Sequence, residues 1–177
     1  MAFGRVCRMI TIEPPSCIGD VSAAGLSKAS ILRFLVRARQ AVGVSGEVYV
    51  LLADDATLKR LNKSFRGKNK PTDVLSFPAG PSTVFFGEPE GPELAGDLAI
   101  SLETAARQAK HFGHTLKDEV RILLLHGLLH LAGYDHERDS GEMAAREAEL
   151  RQELKLPVSL IARSTQPLPK RVRVSRA

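Results

Sequence analysis

The sequence predicts an α/β (α+β) single domain in which a small mixed β-sheet packs against helices arranged around one central helix. Three observations carry that expectation. Short β-branched and aliphatic runs alternate along the chain with longer stretches of helical spacing. One of those stretches, VRILLLHGLLHL, is apolar almost all round, as a helix in the middle of a domain is. A chain of 177 residues, 44% of them hydrophobic, suffices for one core of ordinary size.

The elements follow in order. Residues 6–12 alternate weakly and stop at Pro14 and Pro15, as a first strand closed by a breaker would. Residues 22–42 carry Leu26, Ala29, Ile31, Leu32, Leu35, Val36 and Ala38 at helical spacing. EVYVLLA (47–53) reads as a buried strand, and Asp54 or Asp55 caps a helix that ends near Phe65. RGKNK (66–70) is a basic turn, with Gly67 and Asn69 tolerant of positive φ and Pro71 barring helix continuation. TDVLSF (72–77) is a strand ended by Pro78, residues 80–91 form a Gly- and Pro-rich loop or hairpin, and LAGDLAIS (94–101) is another strand. Helices are expected over 102–112, 117–132 and 140–154, the second opened by Thr115 and Asp118 in the manner of a capping box. Residues 1–156 thus form the folded domain, and 157–177, rich in basic residues and proline, form a disordered tail.

Composition narrows the function classes. No window approaches the eighteen apolar residues of a membrane span, and the start of the chain lacks the apolar core of a secretory signal, so a soluble cytoplasmic protein is expected. Cys7 and Cys17 form no C-x-x-C pair and are expected to be free thiols. The net charge of +5 comes from the tail, where Arg163, Lys170, Arg171, Arg173 and Arg176 stand without an acid among them. In the body the charge matters only where it clusters: Lys59, Arg60, Lys63, Arg66, Lys68 and Lys70 form one basic run, and Lys28, Arg33, Arg37 and Arg39 lie on the first helix. Aromatic residues make up 5% of the chain with no Trp, which argues against a base-stacking platform.

LLLHGLLHLAGYDHERD (123–139) holds three of the five histidines. At 3.6 residues per turn, His126 and His130 sit about 40° apart on one helix face, so both imidazoles can reach one ion. Gly133 can take positive φ and turn the chain back, and His136 follows to complete a three-nitrogen site. Three imidazoles with an open fourth position suit a catalytic Zn2+, one per chain. His111 and His114 lack this geometry and are expected to be surface or cap residues. The spacing matches H-E-x-x-H-x-x-G-x-x-H of the metzincin proteases, except that Gly127 stands where their general-base glutamate would be. Glu137 is placed quite differently, and Asp135 is either an imidazole-orienting group or a solvated turn residue. A zinc peptidase would need a substitute carboxylate near the ion. A non-catalytic protein that uses the zinc for stability is the other alternative.

HGLLHLAGYDH, with FRGKNKPTDVLSFP (65–78) and GDLAIS (96–101) in the same order, resembles the YbeY family of metal-dependent endoribonucleases over roughly residues 6–156. The resemblance implies a single α/β domain with zinc on His126, His130 and His136. It implies action on single-stranded RNA in ribosomal RNA maturation, especially at the 3′ end of the small-subunit RNA, and in ribosome quality control. It also makes Arg66 the functionally important arginine, where the residues alone leave a solvated turn residue equally open. The physical chemistry agrees: phosphodiester cleavage needs charge neutralised on phosphoryl oxygens, which an ion and a guanidinium both do, so Gly127 is no defect. Lys63, Lys68 and Lys70 are expected to steer the RNA backbone by charge. Ribosomal RNA and the ribosome or its proteins are the expected partners, with no DNA and no membrane. Ser76 is expected to be structural.

Overall fold

Ser27 accepts a hydrogen bond from the Ser30 backbone N–H and so starts α1 (Lys28–Val42), several residues later than the periodicity of 22–42 suggests. Leu26 fits the helical pattern from outside the helix: it lies just before the cap and is buried in one cluster with Ile31, the arrangement of a hydrophobic staple. The structure, a computed structural model, describes residues 10–12, 24–80 and 93–157. The expectations for residues 6–9, both cysteines, most of the 80–91 excursion and the tail after Pro157 therefore lie outside the described residues.

The remaining elements are β1 (Ile10–Ile12), β2 (Glu47–Ala53), α2 (Asp55–Arg66), β3 (Val74–Pro78), β4 (Leu94–Ser101), α3 (Leu102–Phe112), α4 (Leu116–Leu131) and α5 (Glu142–Glu153). Asp54, not Asp55, caps α2 by accepting from the Thr57 N–H at 2.7 Å. Ser101 ends β4 and caps α3 at once, accepting from the Thr104 N–H at 3.1 Å. Thr115 and Asp118 bond each other as expected: Thr115 Oγ1 accepts from the Asp118 N–H at 3.1 Å and donates to Asp118 Oδ2 at 2.7 Å. The strand expected over 72–77 begins at Val74, whose N–H is taken by Asp73 Oδ1, and runs through Pro78, which an edge strand tolerates.

The sheet order is β1-β2-β4-β3, with the first three parallel and β3 antiparallel to β4, so the sheet is mixed as expected. Alternation along β2 and β4 sends side chains to two faces. Val48, Val50, Leu52, Leu98 and Ile100 join the main core with residues of α1, α3, α4 and α5. Ala53 and Ala99 join Leu75 and, from α2, Leu58 on the other face. α4 is buried along most of its length, including Leu123, Leu124, Leu125, Leu128 and Leu129. Burying each such leucine is worth roughly 1.5–3 kcal/mol, so this helix is a main source of stability and a rigid base for what it carries. Among the described residues no helix is long and apolar enough to cross a membrane.

Candidate functional site

α4 ends in the turn that the Gly133 position predicts. Gly133 has φ 92°, its N–H bonds the His130 carbonyl at 3.0 Å, and the Tyr134 N–H reaches the Leu129 carbonyl at 3.1 Å. This double closure is a Schellman motif, and a left-handed residue with no Cβ makes it inexpensive. The turn also orients a histidine ring. The Tyr134 carbonyl lies 2.9 Å from His130 Nδ1. A carbonyl can only accept, so Nδ1 carries the proton and Nε2 keeps its lone pair.

His126 is fixed the same way from another helix. Its Nδ1 donates to Glu147 Oε1 of α5 at 3.2 Å, with both side chains buried. Sequence reasoning missed Glu147, yet the signal was present: Met143, Glu147 and Leu150 share a buried stripe, and an acid on a core stripe needs a partner.

With both Nδ1 atoms committed, the two Nε2 lone pairs face each other 3.2 Å apart. Neither ring in this tautomer has a proton to share there, so the arrangement suits a cation between them. Two nitrogens bound to one tetrahedral zinc lie roughly 3.3 Å apart, which these two already match. His136 brings a third nitrogen, and one ligand atom from each ring lies within 4.8 Å of the others. The residues present therefore fit a metal ion of zinc's size and ligand preference. Burial, with His126 and His136 alongside, pushes His130 down to about 4 from its ordinary 6.5, against an upward pull from the Tyr134 carbonyl and Asp135. The imidazole is thus neutral at physiological pH, as a metal ligand must be.

Position 127 explains the missing glutamate. A Cβ there would come within 2.7 Å of Leu98 Cδ2 and 3.3 Å of Ser76 Oγ. Gly127 faces the sheet, where α4 sits so close that any side chain would have to displace Leu98, and a longer one would also press on Ser76. Ser76 belongs to this close approach, with its Oγ 3.4 Å from the Gly127 carbonyl, and it also lines the groove described next. The buried acid that meets the histidines, Glu147, is held by the far side of the His126 ring.

The histidines open into a groove of about 1120 Å³ that follows the edge strand β3. Its lining includes His126, His130, Ser76, Tyr134 and Asp135 as well as Phe65, Arg66, Phe77 and Phe112. α2 runs one residue beyond the expected end, so Arg66 is its last residue, exposed at the groove before Gly67 closes the helix. Lys63, Lys68 and Lys70 are exposed and lie outside the lining. Asp135 Oδ1 accepts from the Glu137 N–H at 3.1 Å and its Oδ2 pairs with Arg138 at 3.4 Å, so it serves the turn that contains His136. His114 does sit at the end of α3, its N–H on the Ala109 carbonyl, but its ring is largely buried against Glu119, and His111 packs on Phe112.

A family model described as endoribonuclease YbeY matches residues 26–155. The chain belongs to the endoribonuclease YbeY family. Relatives agree with the assignment. The endoribonuclease YbeY of Koribacter versatilis (strain Ellin345) is 54% identical over 147 residues, 83% of this chain and 90% of that protein. That of Solibacter usitatus (strain Ellin6076) is 48% identical over 140 residues, 79% of this chain and 88% of its own. The solution structure of TM1509 from Thermotoga maritima aligns with a TM-score of 0.52 at 28% identity, covering 82% of this chain and 89% of that one. The YbeY match includes all three histidines, Arg66 and Glu147, and stops short of the basic tail.

Proposed function

We propose that this chain, an endoribonuclease by family, cuts single-stranded ribosomal RNA in the cytoplasm at a zinc site made by His126, His130 and His136. Small-subunit 3′-end maturation, with ribosomal proteins presenting the RNA, is the setting we infer for it. The observation that carries the reading is the pair of Nε2 lone pairs held 3.2 Å apart, both rings braced from behind, in a groove that also contains Arg66. The bound ion supplies positive charge against the phosphoryl oxygens. Arg66 binds the same phosphate through paired N–H donors, as a planar guanidinium does better than an ammonium. Glu147 and the Tyr134 carbonyl keep the two imidazoles from rotating as the substrate enters. Lys63, Lys68 and Lys70, outside the groove lining, attract the backbone toward it, an effect that weakens as salt rises. Residues 1–156 carry this activity, and the basic segment 157–177 is an extension to it.

The test is cleavage of a single-stranded ribosomal RNA fragment by zinc-loaded protein beside an equally folded His130→Ala protein. Cleavage that disappears in the variant is expected. Intact RNA with both proteins, the ion being bound and the fold preserved, would overturn the catalytic reading in favour of a ribosome assembly role.

A further inference from the structure

The low aromatic content of the chain argues against a base-stacking platform. A chain average says nothing about placement, and placement is what the fold supplies. Among the described residues, Phe65, Leu94 and Phe112 are the large hydrophobic side chains left exposed, at 67%, 39% and 42%. Single apolar side chains scattered over a surface need no explanation. Leu94 is such a single side chain, but Phe65 and Phe112 both line the groove that holds the histidines and Arg66.

Each ring is also held in place. Phe65 meets Phe77 of β3 in an edge contact, ring centroids 4.9 Å apart and planes at 62°. Phe112 packs against His111 at 4.7 Å and lies parallel to the His114 ring, 7° between planes, at 6.3 Å. An edge contact uses one side of a ring, and a Phe65 that is 67% exposed keeps much of its π surface open to the groove. Phe65 precedes Arg66 in the last turn of α2, and Lys63, Lys68 and Lys70 lie close by in sequence. A ligand that satisfies this neighbourhood needs anionic groups for the cations and flat apolar surfaces for the rings. An unpaired stretch of nucleic acid has both, whereas in a duplex the base faces are already covered by their neighbours.

We propose that Phe65 and Phe112 are stacking sites for unpaired nucleobases of the RNA, and that they make the groove selective for single strands. This rests on the RNA reading of the same groove and adds to it the feature recognised beyond the phosphate. Stacking tolerates any base, so it selects for an unstacked conformation and not for sequence.

The experiment uses the zinc-loaded full chain and single-stranded oligoribonucleotides carrying 2-aminopurine at one position at a time, read by rapid mixing before cleavage. The chain has no Trp, so the base analogue is the sole strong emitter. Quenching confined to one or two positions is expected, with Phe65→Leu and Phe112→Leu each relieving it at a different position. Each variant should bind about five- to hundredfold more weakly, with the salt dependence of binding unchanged, because no phosphate contact is lost. Phe65→Tyr should bind within about twofold of the parent, since it keeps the π face. Tight RNA binding by the parent, matched by Phe65→Leu and Phe112→Leu, would overturn the stacking sites while leaving the RNA reading in place. No binding by the folded, zinc-loaded parent would overturn both.

Discussion

Helices α2 and α4 both deliver groups to the groove and both are closed by a left-handed glycine, but they end in opposite surroundings. The last turns of α4, before Gly133, carry His126, which is 5% exposed and braced by a buried carboxylate. The last turn of α2, before Gly67, carries Phe65 and Arg66 on an exposed face beside Lys63. The difference teaches how one site divides its work. A metal centre needs fixed distances, and two of the three candidate ligands, His126 and His130, stand on a helix that the core holds. A polymer of varied sequence needs contacts that adjust, and the residues proposed to meet it stand on a solvated end.

The most severe way to break this division is to unseat α4. Gly127→Glu places a charged side chain against Leu98 and Ser76, and a loss of more than about 3 kcal/mol is expected, read as a large fall in thermal midpoint. Gly127→Ala is milder, since the first atom met is the mobile end of Leu98. A Gly127→Glu protein as stable as the parent would mean that α4 is not pressed on the sheet.

Next comes the solvated end. Arg66→Ala is expected to slow cleavage about 10²–10³-fold, the effect of removing one charge-stabilising donor, with unchanged metal affinity and thermal midpoint. A parallel fall in metal affinity would show that the two ends are not separate.

Glu147→Gln probes the brace. It should weaken metal binding by about 10–100-fold in a chelator competition while the saturated protein still cleaves. Equal affinity in the two proteins would reduce Glu147 to a packing role.

The smallest effect is expected at the root of α2. Asp55 accepts from Thr104 and Arg107 at 2.7 Å each and from Ser101, tying α2 to the start of α3. Burial alone would raise the Asp55 carboxyl, but the hydrogen bonds from Ser101, Thr104 and Arg107 outweigh it and hold the group below its ordinary 3.8. A depressed folded value contributes stability that is present above 3.8 and lost as pH falls through the lower value. Asp55→Asn should therefore cost about 1 kcal/mol at neutral pH, with the gap to the parent closing in acid. A gap that persists undiminished in acid would assign the loss to geometry instead of charge.

Much of this molecule was readable from local pattern. Strands β2 and β4, helix α3 and both ends of α4 fall at or within a residue of where periodicity, Thr115 and Gly133 put them. The first helix was misjudged at its start because Leu26 obeys helical spacing while serving as a staple outside the cap. His126 and His130 were legible because ligand spacing on a helix is a property of 3.6 residues per turn, and His136 because Gly133 marks the turn that brings it back.

What depended on distant neighbours was not legible. Nothing near His126 in sequence names Glu147, twenty-one residues away, as its partner. Gly127 could be read as the absence of a base, but only its approach to Leu98 and Ser76 shows what a larger residue would have to displace. The aromatic percentage concealed two phenylalanines that the fold leaves exposed in one groove. The sequence by itself determined the element order, the helix caps and the histidine spacing, because these are set by forces within a few residues of the chain. Which ring nitrogen is free, which faces touch and which apolar groups stay uncovered were decided only by tertiary structure, because burial and partnership are properties of packed surfaces.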